Sequence, residues 1–176
     1  MTPAYSDIGN TGPGGGIIFY ETEDGLHGLE AAPSDLDGKF PWGCIGVNLA
    51  DVDDVSFDST DSQSGEYNTP IIAEACGPDS AAGAANDFSF AGVDDWFLPN
   101  KAELDLMWRA IGSGCTFSSE AKAVSGCIDV AQLSGGWYWC SSESNSEKVW
   151  NQEMRGGGVD RSARNIKLRV RPIRAF

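Results

Sequence analysis

Catalysis needs a base, a nucleophile or converging carboxylates, and this 176-residue chain is sparing with all three. Its one histidine, His27, falls in Leu26–Ala32 (LHGLEAA), which reads as a short strand after the turn Glu23-Asp24-Gly25. Triad chemistry is therefore left without a base. The carboxylate pairs Asp53-Asp54 and Asp94-Asp95 are chain neighbours, and neighbours on extended backbone point apart. The loop Gly12-Pro13-Gly14-Gly15-Gly16 invites a phosphate cradle, but such loops follow a strand, open a helix and carry a Lys-Ser/Thr partner. This one leads instead into Ile17-Ile18-Phe19-Tyr20, a buried strand. Five cysteines without a CxxC pair, beside a single histidine, argue against zinc. Cys115 with Cys127, and Cys44 with Cys76, can close two bridges and leave Cys140 free, which would place maturation in an oxidising setting. Reduced, buried thiols fit the same spacing. The acidic stretch Asp51–Asp61 has oxygen ligands that calcium takes, but not the spacing of a calcium loop. It is expected to be solvated. No enzymatic activity, metal or cofactor is expected.

The elements that would position such residues alternate in kind. Asn68-Thr69-Pro70 predicts a helix start, with Thr69 capping and Pro70 at the first helical position, and the helix ends at Gly77-Pro78. A small-residue helix (SAAGAAND) follows. The next helix is the clearest: Asn100 caps it, Glu103 completes a capping box, and Gly112 ends it. Leu104, Met107, Trp108 and Ile111 form its apolar stripe, with Trp96-Phe97-Leu98 as core just before it. Strands return from Trp137, and Pro172 marks an edge or a bulge in the last one. Strands, then helices, then strands describe an α+β domain with mostly antiparallel pairing. A single domain over 1–176 is expected. No apolar run reaches the ~20 residues of a membrane span, and the N-terminus lacks the pattern of a signal peptide.

Charge is segregated. Residues 1–100 carry 18 acids and one base (Lys39), whereas residues 101–176 carry 8 acids and 11 bases, so the net −14 divides as −17 and +3. A basic C-terminal strand packed beside acidic loops of its own domain accounts for this better than a nucleic-acid face, because the whole molecule would repel a polyanion. The last third, Trp137–Phe176, is the most suggestive segment. Two ordered blocks, YWCSSE…VWNQ and LRVRPIRAF, enclose Met154–Lys167, which lacks periodicity and apolar content. Such filler within a frame suits a surface selected for what it touches.

The blocks GNTGPGGGIIFY, DGLHGLEAAPSD, PWGC, DDWFLPNKAELDLM, YWCSSE and RVRPIRAF, in this order across nearly the whole chain, resemble the Lcl C-terminal domain family. The resemblance implies a C-type-lectin-like fold: a small, mostly antiparallel sheet with N- and C-terminal strands paired, two main helices and long loops. The chain is also similar to the variable proteins of diversity-generating retroelements, among them phage major tropism determinants, in which adenine mutagenesis rewrites codons near the C-terminus. By that resemblance Trp139, Ser141, Trp150, Arg169, Arg171, Pro172 and Phe176 are frame, and the diversified region spans about 137–168. An asparagine codon altered at its two adenines cannot give Lys, Glu, Gln or Met, which assigns Glu147, Lys148, Gln152, Glu153 and Met154 to the frame. It can give Ser144, Ser146, Arg155, Gly157, Val159, Asp160, Arg161, Ser162, Arg164, Ile166 and Leu168, or leave Asn145, Asn151 and Asn165 unchanged. The ligand-binding set is therefore Ser144, Asn145, Ser146, Arg155, Gly157, Val159, Asp160, Arg161, Ser162, Arg164, Ile166 and Leu168. Arg155, Arg161 and Arg164 are its expected anchors, with Val159, Ile166 and Leu168 as an apolar centre. Cys140 departs from the family's small polar residue. The calcium-lectin triplets EPN and QPD are absent, and so is the C-terminal cysteine pair of formylglycine-generating enzymes. The expected ligand is a macromolecular surface, a protein of acidic or mixed character, met on a virion or cell surface. Nucleic-acid binding and membrane insertion are not expected. An adhesive or structural domain without diversification is the alternative.

Overall fold

A computed structural model describes residues 7–49, 64–112 and 133–176. The Asp51–Asp61 stretch and the Cys115/Cys127 pair lie outside the described residues. The architecture is α+β. In chain order come β1 (Ile17–Glu21), β2 (Gly28–Ala31), β3 (Phe40–Pro41), α1 (Gly65–Cys76), α2 (Ala81–Asn86) and α3 (Lys101–Ile111). Then follow β4 (Trp137–Glu143), β5 (Lys148–Glu153), β6 (Val159–Ala163), β7 (Lys167–Leu168) and β8 (Ile173–Ala175). Among the described residues three small antiparallel sheets result, ordered β1-β2-β8, β3-β7 and β4-β5-β6. The last strand pairs with β2 rather than β1, Leu29 facing Ala175 and Ala31 facing Ile173. Pro172 stands just ahead of β8, which has a single strand partner within its sheet. His27 lies outside β2 and is exposed, a turn residue rather than a strand residue.

Strand β4 divides the interior. Its side chains alternate, so Tyr138 and Cys140 join one core, with Phe19, Leu104, Met107, Ile111 and Met154. Trp139 joins the other, with Trp42, Ile72, Leu98, Val149 and Val170. From Tyr138 to Glu143 every residue is buried. Helix α3 has the expected capping box and presents Leu104, Met107 and Ile111 to the first core. Helix α1 starts earlier than its proline suggests: Ser64 is the cap and Pro70 is internal. The Thr69 hydroxyl donates to Gly65 O at 2.6 Å and accepts the Leu98 N–H at 2.9 Å, binding the helix to the Trp96–Leu98 segment beside a residue that cannot donate. A disulfide joins Cys44 to Cys76, fastening the loop after β3 to the end of α1, and Cys140 is free and buried. The glycine-rich loop encloses an internal anion: Gly14 and Gly16 N–H groups donate to the buried Glu30 carboxylate at 2.8 and 3.0 Å, and Arg174 closes it at 2.9 Å. A Cβ at Gly12 would come within 2.2 Å of that carboxylate, which is why this position is glycine.

Candidate binding surface

The filler between β5 and β7 is not formless, because it contains β6. In the β5–β6 pairing Gln152 faces Val159, Trp150 faces Arg161 and Val149 faces Ser162. β6 is the outer strand of its sheet, and none of its five residues is buried. The strand beneath supplies the rigidity: Val149, Asn151 and Gln152 of β5 are buried, and the Gln152 amide donates to Asp105 of α3 at 2.8 Å. Trp150 lies between two cations. Lys101 Nζ sits 3.8 Å from the ring centroid, and the Arg161 guanidinium carbon 5.2 Å from it. Arg161 is thus exposed yet oriented by an aromatic face, a cation–π arrangement that limits its rotamers.

The expected binding set separates in three ways. Arg155, Val159, Asp160, Arg161 and Ile166 are exposed, as is Asn145, and Ser144, Ser146 and Ser162 are half-buried. Asn145 contributes mainly to the turn, its Oδ1 accepting the Glu147 and Lys148 N–H groups at 2.9 and 2.8 Å. Three expected members are corrected. Arg164 is no anchor for a ligand, being 1% exposed. Its Nη2 donates to Glu143 Oε1 at 2.7 Å and to Asn145 O at 2.6 Å, and its guanidinium lies 4.5 Å from the Trp42 ring. Gly157 is not free to vary, because it has φ +77° and a Cβ there would sit 2.2 Å from the Trp108 ring. Leu168 is half-buried, pairs with Phe40 and packs on the second core. Val159 opens β6 and Ile166 lies past its other end, about 14 Å of strand away, so no single apolar centre forms. Of the residues expected in the frame, Met154 and Gln152 are buried, Glu153 is half-buried, and Glu147 and Lys148 are exposed.

Sequence reasoning left three exposed apolar side chains, at two places, out of the binding set. Trp137 is 37% exposed beside the β5–β6 turn. Ile45 and Val47 are 68% and 48% exposed in the loop that meets the β4–β5 turn through Gly46 N–H to Ser146 O at 3.0 Å. The only signal for the second was a pair of aliphatic residues among glycines in CIGVN. The surface therefore runs from Trp137, Arg155 and Val159 along β6 to the 144–147 turn, Ile166, Ile45 and Val47.

Among the described residues no group of three metal-ligating side chains comes together, and no helix is long and apolar enough to cross a membrane. Burial pushes the Cys140 thiol up to about 12, above the range of a reactive thiolate. Burial, and then its bond to Asp35, raises Tyr138 above the ordinary phenol range. No protein-family model matches the chain, and no curated protein matches it either.

Proposed function

We propose that the chain is a ligand-binding module, a receptor or adhesion domain that recognises a macromolecular surface through β6 and the turns flanking it. One observation carries this reading. A whole strand, β6, has no buried side chain, and it is supported on strands whose residues are mostly buried. Arg155 and Arg161, with Val159, Asp160 and Ile166, form the contact set, and Trp137, Ile45 and Val47 add apolar area. A standard interface takes about 800 Å² from each partner, and the mixed charge of this set suits an acidic or mixed protein surface.

The same reading takes the resemblance further than the architecture alone. The α+β arrangement, with the last strand returning to the N-terminal hairpin, is compatible with a C-type-lectin-like scaffold of one domain. It suits a variable protein of a diversity-generating retroelement displayed on a virion or a cell. Sequencing the locus tests this. The expected result is a nearby near-copy of the DNA for residues 137–176, differing only at adenines, beside a reverse transcriptase gene. Its differences should fall at codons 155, 159, 160, 161 and 166 and spare 157 and 164. A locus without the copy would leave a non-diversified adhesive domain as the function.

A further inference from the structure

A second site lies away from β6, where the segment after β2 meets the strand ends. A cavity of about 300 Å³ is lined by Pro33, Ser34, Asp35, Ser134, Arg169 and Arg171, with Asp37 among its other walls. Its floor is a closed network. Asp35 accepts from the Tyr138 hydroxyl at 2.6 Å and from Arg171 Nε at 2.8 Å, and Arg171 Nη1 donates to Ala32 O at 2.7 Å. Tyr138 in turn accepts the Ser134 N–H at 2.9 Å. Arg169 borders this network without a hydrogen bond into it among the described residues. Its backbone is fixed by bonds to Trp137 and Trp139. Its guanidinium, however, only approaches Asp35 at 4.0 Å, too far for a hydrogen bond, and its side chain is 33% exposed. Among the described residues this half-buried guanidinium has an ion-pair approach but no hydrogen bond, and it lines a polar cavity.

We infer that this cavity binds a carboxylate, held by the Arg169 guanidinium. The chemistry selects the anion. A guanidinium fork matches a planar carboxylate bidentately, while Asp35 and Asp37 in the walls oppose the second charge of a phosphate dianion. The volume suits a small acid or the carboxylate end of a peptide. The site is independent of β6, so its fate and that of the proposed binding surface can be told apart.

NMR titration of the intact protein tests the inference, with sodium acetate as probe and with sodium phosphate and sodium chloride at matched ionic strength in parallel. Acetate should give saturable shifts at the Arg169 Nε–H and at the Ser134 and Asp35 amides, which chloride does not reproduce and phosphate matches only weakly. Arg169→Gln should weaken acetate about tenfold or more, and Arg169→Lys should recover part of it. Asp37→Asn, at an exposed position, should tighten it by removing a like charge. Shifts that follow ionic strength alone, equal binding by Arg169→Gln, or phosphate binding more tightly than acetate would each overturn the inference.

Discussion

Two residues in the variable-looking stretch answer to the interior rather than to a ligand. Arg164 neutralises Glu143 where both side chains are wholly buried. Arg164→Ala would leave that carboxylate uncompensated and should cost about 3–5 kcal/mol in chemical denaturation. Arg161→Ala, at an exposed position, should change stability by about 0.5 kcal/mol or less. Gly157→Ala should cost more than about 1 kcal/mol, because the left-handed backbone and the Trp108 ring both oppose a Cβ. Neither role was legible in the sequence. Arginine and glycine are the types expected at a surface and a turn, and only the fold brings Glu143 and Trp108 against them. Trp139 was legible as an apolar anchor, since a large apolar side chain has one stable destination, whereas the burial of Met154 had no such signal in the low-apolar stretch it opens. His27 was misassigned to a strand because LHGLEAA has no feature that marks where its turn ends.

Capping chemistry was the most readable part of the elements. Asn100 and Glu103 form the expected box, and the Glu103 carboxylate also accepts from the Gly65 N–H, tying α3 to the start of α1. Burial pushes this carboxyl up to about 8 from 4.5, against the pull of the Asn100 and Gly65 N–H groups. The folded protein therefore holds this proton more tightly than the unfolded chain does. The associated stability is complete below about pH 4.5 and is lost as pH rises through about 8. The stability of wild type relative to Glu103→Gln should fall across that window, which urea unfolding at each pH would measure. The Cys44–Cys76 bridge spans 32 residues, and its removal in a Cys44→Ser/Cys76→Ser pair should cost about 3–4 kcal/mol by loop entropy. Strand β6 was missed because an outer strand exposed on both faces shows no alternation for a sequence pattern to register. Helix α1 was placed too late because Pro70 suits a first turn better than the interior it occupies.

Across the whole molecule the charge asymmetry resolves inward. Arg169 and Arg171 approach Asp35, and Arg174 pairs with Glu30 and Asp95, so bases of the last ten residues meet acids of the first hundred. That arrangement follows from returning a C-terminal strand to an N-terminal hairpin, and it was foreseeable from the composition of the two halves. The division of the interior was not, because alternation along β4 identifies two faces without saying what covers each. Since both cores rest on β4, its amides, Trp139 and Ser141 among them, should exchange with solvent most slowly in hydrogen-exchange measurements. The outer edge of β6 has the opposite character. Asp160 Oδ1 takes the Arg161 N–H at 2.7 Å, and Ala163 O takes the Ile166 N–H at 3.2 Å. Two of the main-chain groups that a foreign strand would need are thereby engaged within the chain, which blunts this edge against sheet-to-sheet pairing. If β6 is the binding surface proposed above, a partner meets its exposed side chains first, so exchanging them would change whom the surface greets while the edge stays partly closed to a passing strand.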